Sequence, residues 1–369
     1  GTVVTWFLIG GDAYTAYTLL AVPGMVYGVG ASGFFALAYT VLAYPAFFVL
    51  MPRLWETAKR RGYVTLADFT QGEHGSAGLG AAVAFTGILA TVPYIALQLL
   101  GIEVAIAALG AGGNLEALVA AFALLALWDY WGGLRAPASV AFIKDSMVFA
   151  FVIAAVVWIP TRLGGYGHIF SAAGEALARR SPVGFLVPQP GQYLGFATLT
   201  LGSALAILLY PHVTTSVLSA SSSRVIRRNA VYLPAYNLVL GLIALMGYMA
   251  LAAGVQVASS NDAVPALLLR MMPGWFAGFC LAAIAIGGLV PAAVMAIAAS
   301  SLFVRSLLRP LLRGGLSGTQ ETAVTKLVSL GLKLAALGFV VWGRPSYMIN
   351  FQLLGGVWIL QTLPAVVLG

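Results

Sequence analysis

Ten apolar stretches follow one another along this chain, each long enough to cross about 30 Å of hydrocarbon, with short polar segments between them. They run approximately 3–28, 31–51, 79–109, 115–133, 137–160, 193–217, 229–254, 274–305, 321–343 and 347–369, here spans 1 to 10. Inside a bilayer every backbone N–H and C=O has to be satisfied internally, and a run of this length does so as a helix. A soluble chain of 369 residues has room for a large core, but it needs a charged exterior to cover it. Here 61% of residues are hydrophobic and 8% charged, where an ordinary soluble domain carries about 25% charge. The expected fold class is an all-α polytopic membrane protein of about ten transmembrane helices, a single core over 1–369 with the lipid bilayer as partner.

The formal net charge of +8 raises nucleic acid as a partner. The basic residues sit instead in short clusters between spans, where they act as topology signals, so no nucleic-acid partner is expected. Eleven lie in loops after even-numbered spans: Arg53, Lys59, Arg60, Arg61, Arg135, Arg224, Arg227, Arg228, Arg305, Arg309 and Arg313. Five lie on the other side, Arg162, Arg179, Arg180, Arg270 and Arg344, which puts the even loops in the cytoplasm. Cys280 is the only cysteine, which excludes an internal disulfide and a CxxC metal or redox site. No signal peptide is visible and both ends fall within apolar sequence, so a longer parent with further helices is expected.

No hydrophilic domain interrupts the spans. Arg53–Arg61 reads as a short amphipathic helix ended by Gly62, and Gly165–Arg180 and Asn261–Met272 as short outer helices. The spans divide five and five, a first repeat at about 1–160 and a second at about 190–369. Span 1 is interrupted at Gly10-Gly11-Asp12; span 6, its counterpart, carries Thr198, Thr200, Gly202-Ser203 and Pro211-His212. Paired interruptions at matching places in two halves point to an inverted-repeat transporter and its site. A Gly-Ser pair also serves tight helix packing.

A carboxylate at bilayer depth is costly unless it faces a cavity or a partner, so Asp12 is a candidate for solute or ion binding. The alternative is an aspartate paired to a neighbouring helix beside packing glycines. An unwound turn at Gly10-Gly11 frees backbone groups for a solute. The hydroxyls of Tyr14, Thr15, Tyr17 and Thr18 cover more than one face, so some serve helix–helix hydrogen bonds; Tyr14 and Thr15 lie nearest the break. In span 3, Tyr94 and Gln98 share one face at i, i+4 beside Pro93, as a cavity wall or a packing contact. Gln352, Gly355-Gly356, Trp358 and Gln361 offer a similar stripe in span 10.

Lys144-Asp145 in span 5 is either a structural ion pair or an ion-coupling pair with the lysine as a titratable cation. Glu103 and Asp129 read as interface anchors, His212 as a structural hydrogen-bonder, and Lys333 as a snorkelling or paired residue. Three scattered histidines and one cysteine supply no metal set, and Gly10-Gly11 lacks the GxxxxGK[ST] spacing of a phosphate loop. No enzymatic chemistry and no cofactor are expected.

Three strings carry a family resemblance. Gly62-Tyr63-Val64-Thr65-Leu66-Ala67-Asp68-Phe69 is similar to the YxTxxDF segment of the sodium:solute symporter family. Gly132-Gly133-Leu134-Arg135-Ala136 leading to Asp145 resembles its GGLxA…D segment, and Tyr210-Pro211-His212 with Ser219-Ala220-Ser221-Ser222 and Ile226-Arg227-Arg228 resembles its PH…A-S…R motif. Within the family, the strings around Asp12, Pro93–Gln98 and Phe351–Trp358 resemble bacterial monocarboxylate uptake permeases. The resemblance covers essentially the whole chain. It implies a LeuT-like 5+5 inverted-repeat core and uptake of pyruvate, lactate or similar short monocarboxylates.

It also implies a sodium site of first-helix carbonyls and a hydroxyl pair on core helix eight. One alignment puts those hydroxyl positions at Ala296 and Ile297, the other near Val290 and Pro291, with Ser300 and Ser301 one turn away. Neither supplies the pair, so sodium coupling is not simply inherited. Lys144 can then take over part of the sodium's work as a protonated cation. The competing reading is a permanent Lys144–Asp145 arrangement, with sodium held by carbonyls, Asp12 or Ser300.

The expected protein is a symporter of small monocarboxylates in a bacterial cytoplasmic membrane, with sodium or a proton as coupling ion. Gly11, Asp12, Tyr14, Thr15, Tyr94, Gln98 and Gln352 would bind the solute, and Asp12, Lys144 and Asp145 would couple the ion, with the site between spans 1, 3, 6, 8 and 10. The carboxylate would meet N–H groups near Gly10–Tyr14. The alternatives are a symporter of another small solute such as an amino acid, or the solute-sensing membrane domain of a receptor. The sequence sets no oligomeric state.

Overall fold

The computed structural model describes residue 6 and residues 13–110, 114–132, 135–312, 316–343 and 346–367, with backbone alone at 114, 128–132 and 135–139. Among these residues the secondary structure is helical, apart from an isolated parallel bridge between Gly30 and Phe185. Six helices are long and apolar enough to cross a membrane, and a pair bent by 45°, Pro190–Ile207 with Pro211–Leu218, makes a seventh span. Shorter apolar helices at Tyr17–Val29, Leu115–Leu127 and Ile349–Leu360 fall at spans 1, 4 and 10.

In chain order the helices are α1 (Tyr17–Val29), α2 (Phe35–Arg61), α3 (Leu66–His74), α4 (Ala77–Ala108), α5 (Asn114–Gly132), α6 (Arg135–Arg162), α7 (Tyr166–Ala178) and α8 (Tyr193–Ile207). They continue as α9 (Pro211–Leu218), α10 (Ser223–Tyr232), α11 (Pro234–Ala252), α12 (Ala263–Met271), α13 (Gly274–Leu302), α14 (Gly318–Trp342), α15 (Ile349–Leu360) and α16 (Leu363–Val367).

α4 is apolar all round and is the central post, as a helix without a polar face has to be. It packs against α5 of its own half and against α13, α14 and α15 of the other. α11 likewise packs on α1 and on α7. Close approach decides two glycines. A Cβ on Gly101 would collide with that of Ala16, and one on Gly355 with the carbonyl of Ala90.

Three details differ from the sequence expectation. Arg53–Arg61 is not a separate helix but the last turns of α2, which runs through Pro45 and Pro52 and stops at Gly62 with φ 75°. Gly202-Ser203 does not interrupt span 6, because α8 passes straight through it. Glu103 is buried rather than held at an interface. The YxTxxDF-like string has a local physical meaning: Thr65 caps the N-terminus of α3 by accepting from the Asp68 N–H at 3.1 Å. The Asp68 carboxylate in turn accepts from the N–H of Val64 at 3.0 Å and of Thr65 at 2.9 Å.

Candidate functional site

Gly10, Gly11 and Asp12 lie outside the described residues. Just after them, Ala13–Thr15 form a non-helical turn that leads into α1, whose first five residues are π-wound. The turn is held by its own hydroxyls. Thr15 Oγ1 accepts from the N–H of Tyr17 at 3.0 Å, while Thr18 Oγ1 accepts from the N–H of Thr15 at 3.0 Å and donates to its carbonyl at 3.1 Å. From α4, Gln98 Oε1 accepts from the Ala16 N–H at 2.9 Å, satisfying a donor that the helix start leaves over.

The same turn exposes the carbonyl of Tyr14, and Lys144 Nζ donates to it at 3.0 Å. Lys144 also pairs with Asp145 at 3.1 Å; the Tyr236 hydroxyl donates to the other Asp145 oxygen at 3.1 Å, and the Tyr14 hydroxyl donates to the Tyr236 carbonyl at 3.3 Å. These contacts close a ring that joins the first-span turn to α6 and α11. Every member is completely buried. From α13, a Cβ built on Gly287 would stand 3.9 Å from this carbonyl. Ala296 is buried, and the Ser300 hydroxyl bonds back to the Ala296 carbonyl of its own helix.

Span 6 breaks at Leu208–Tyr210. Pro211 has no N–H to give and drives Tyr210 out of the helical region, to ψ 135°. The Tyr210 hydroxyl reaches across to the carbonyl of Gln352 at 3.1 Å and ties the break to α15. α9 restarts without a side-chain cap, and its first backbone rung runs from Thr214 N–H to the Tyr210 carbonyl. The N–H groups of His212 and Val213 precede that rung, at the partially positive end of the helix. The His212 ring lies between Tyr94 and Tyr210, with centroids 5.6 and 5.3 Å away. It is 3% exposed, and its Nδ1 has no hydrogen-bond partner among the described residues.

The two breaks face a common cavity of about 80 Å³, several times the space one water needs. Ala13, Tyr17 and Thr18 line it from span 1, Tyr94 from α4, and Leu208, His212, Val213 and Ser216 from span 6. Tyr39, Tyr44 and Phe47 of α2 and Leu240 of α11 close it, and none of the lining residues comes from spans 8 or 10. A second cavity of about 240 Å³ lies on the other face of α9, between Thr65, Thr214, Thr215, Ser301 and Arg305.

Of the residues singled out from sequence, Tyr94 lines the central cavity. Tyr14 turns toward Tyr236, Thr15 spends its hydroxyl on the helix start, and Gln98 spends its oxygen on Ala16. Gln352 contributes its backbone carbonyl to Tyr210 and is buried outside the cavity lining. Tyr17, Thr18, His212 and Tyr236 carry more of the geometry than the sequence suggested. The signal for His212 was Pro211, which makes a helix start out of the residue following it.

A family model described as the sodium:solute symporter family matches residues 1–352. The chain is 52% identical over 369 residues to a protein of Rhizobium johnstonii named monocarboxylate transport permease protein, covering 100% of this chain and 75% of that one. It is 33% identical over 372 residues to the uncharacterized symporter YodF of Bacillus subtilis, covering 99% and 74%. Its fold is similar to that of a Na+-coupled sialic acid symporter solved in a substrate-bound outward-open state, with TM-score 0.79 and 14% identity over 99% of this chain and 79% of that one.

Proposed function

This chain belongs to the sodium:solute symporter family, and on that premise we propose that it takes up small monocarboxylates such as pyruvate and lactate by cation symport across a bacterial cytoplasmic membrane. One observation carries the reading: the breaks of spans 1 and 6 meet at one small cavity whose far wall is an uncapped helix start. A helix N-terminus with free N–H groups favours an anion. The unpartnered Nδ1 of the buried His212 adds a further hydrogen-bonding atom on the same residue. Tyr17 and Tyr94 supply polar groups to a solute of a few heavy atoms.

The name of the Rhizobium relative supports the substrate class, and the bacterial relatives support the membrane. Carboxylate recognition therefore moves from the first break, where the sequence suggested it, to the second. Roles for Gly11 and Asp12 in the solute site remain part of the proposal, on the strength of their place in the sequence just before Ala13.

The test is uptake of labelled pyruvate, lactate and alanine into proteoliposomes under imposed sodium or proton gradients. Pyruvate and lactate should accumulate well above alanine, and His212→Ala should weaken both by about tenfold, the cost of one hydrogen bond to a charged group. Uptake of alanine alone, or full uptake by the variant, would overturn the assignment.

A further inference from the structure

We propose that the Lys144 ammonium is a tethered cation, built into the protein where a free monovalent cation would otherwise sit, and that removing it opens a cation site. The ammonium is completely buried and is held by a carboxylate oxygen of Asp145 at 3.1 Å and by the carbonyl of Tyr14 at 3.0 Å. Carboxylate and carbonyl oxygens are the donors that hard cations take from proteins. The carbonyl is available only because Ala13–Thr15 are not helical. The carboxylate is fixed from its other side by the Tyr236 hydroxyl, whose own backbone carbonyl is bonded by Tyr14. The oxygens are thus positioned by groups other than the lysine and stay in place when the lysine is shortened.

Charge balance gives the second half of the argument. Taking away one member of a buried ion pair leaves an uncompensated charge, which is strongly destabilising. Lys144→Ala would leave the Asp145 carboxylate, at 0% exposure, facing the space of three lost methylenes and an ammonium. Sodium, ammonium or methylammonium entering that space restores neutrality and reuses the same two oxygens. The idea does not depend on which solute is carried, so the two proposals fail separately.

The experiment is thermal unfolding of the purified full chain in chloride salts of sodium, ammonium, methylammonium and choline at equal ionic strength. Lys144→Ala should melt below the wild type and regain roughly 3 °C or more, saturably, with the small cations relative to choline. The wild type should lack this added response, and Lys144→Ala with Asp145→Asn should lack it too, since no charge then needs balancing. If Lys144→Ala does not accumulate, Lys144→Ser is read in the same series. A single variant that responds to cations no more than the wild type, or a double variant that responds equally, would overturn the proposal.

Discussion

At the scale of single residues, hydroxyls and amides that look like solute ligands divide into those that hold the breaks and those that face the cavity. Gln98 holds a break. Its oxygen satisfies the buried N–H of Ala16, so Gln98→Leu should lower stability by about 1–3 kcal/mol. It should reduce uptake of pyruvate, lactate, acetate and propionate alike, read by a thermal melt beside a four-substrate assay; selective loss of pyruvate and lactate would return Gln98 to the solute wall. Thr15→Ala removes a cap worth about 1 kcal/mol, whereas Thr15→Ser should keep it, as paired thermal melts would check. The long-range contacts were not legible locally. Gln98 and Ala16 are 82 residues apart, Lys144 and Tyr14 are 130 apart, and a local pattern shows which groups are polar but not where they point.

At the scale of elements, helix existence was legible and helix interruption only in part. Apolar length alone placed ten spans, because a bilayer leaves no other use for such runs. The break in span 6 was sought at Gly202-Ser203 and Pro211-His212; it falls at the second, because a side chain-poor pair fits inside a continuous helix, where even a Cβ on Gly202 would stand 3.8 Å from Leu360. Proline is the stronger breaker because it removes a donor and constrains the residue before it. Pro211→Ala should therefore let α8 run on into α9, remove the free helix start and abolish uptake while the protein still inserts, which transport and membrane-fraction assays would separate. α3 escaped notice because nine residues are too few for a periodic signal; its capping pair was read as a family string instead.

At the scale of the whole molecule, the account rests on orientation and on the meeting of two breaks from two halves. The basic loops put the end of α2 in the cytoplasm and α7 outside. In intact cells an impermeant maleimide should label His168→Cys and should reach Arg60→Cys only after permeabilisation; both positions are exposed, and native Cys280 is buried. The reverse pattern would invert the molecule. The packing that brings the breaks together was only implied by the sequence. Symmetry of interruptions suggested it, but α2 and α11 as cavity walls carry no mark that distinguishes them from lipid-facing helices.

The central claim, that the cavity at the two breaks recognises a small monocarboxylate through the start of α9, is tested most directly by competition in counterflow. Proteoliposomes loaded with pyruvate are mixed with labelled pyruvate and either lactate or lactamide, which differ in the carboxylate and little in size. Lactate should compete and lactamide should not, since free N–H groups at a positive helix end gain most from an anion. Equal competition by the neutral amide would contradict the account.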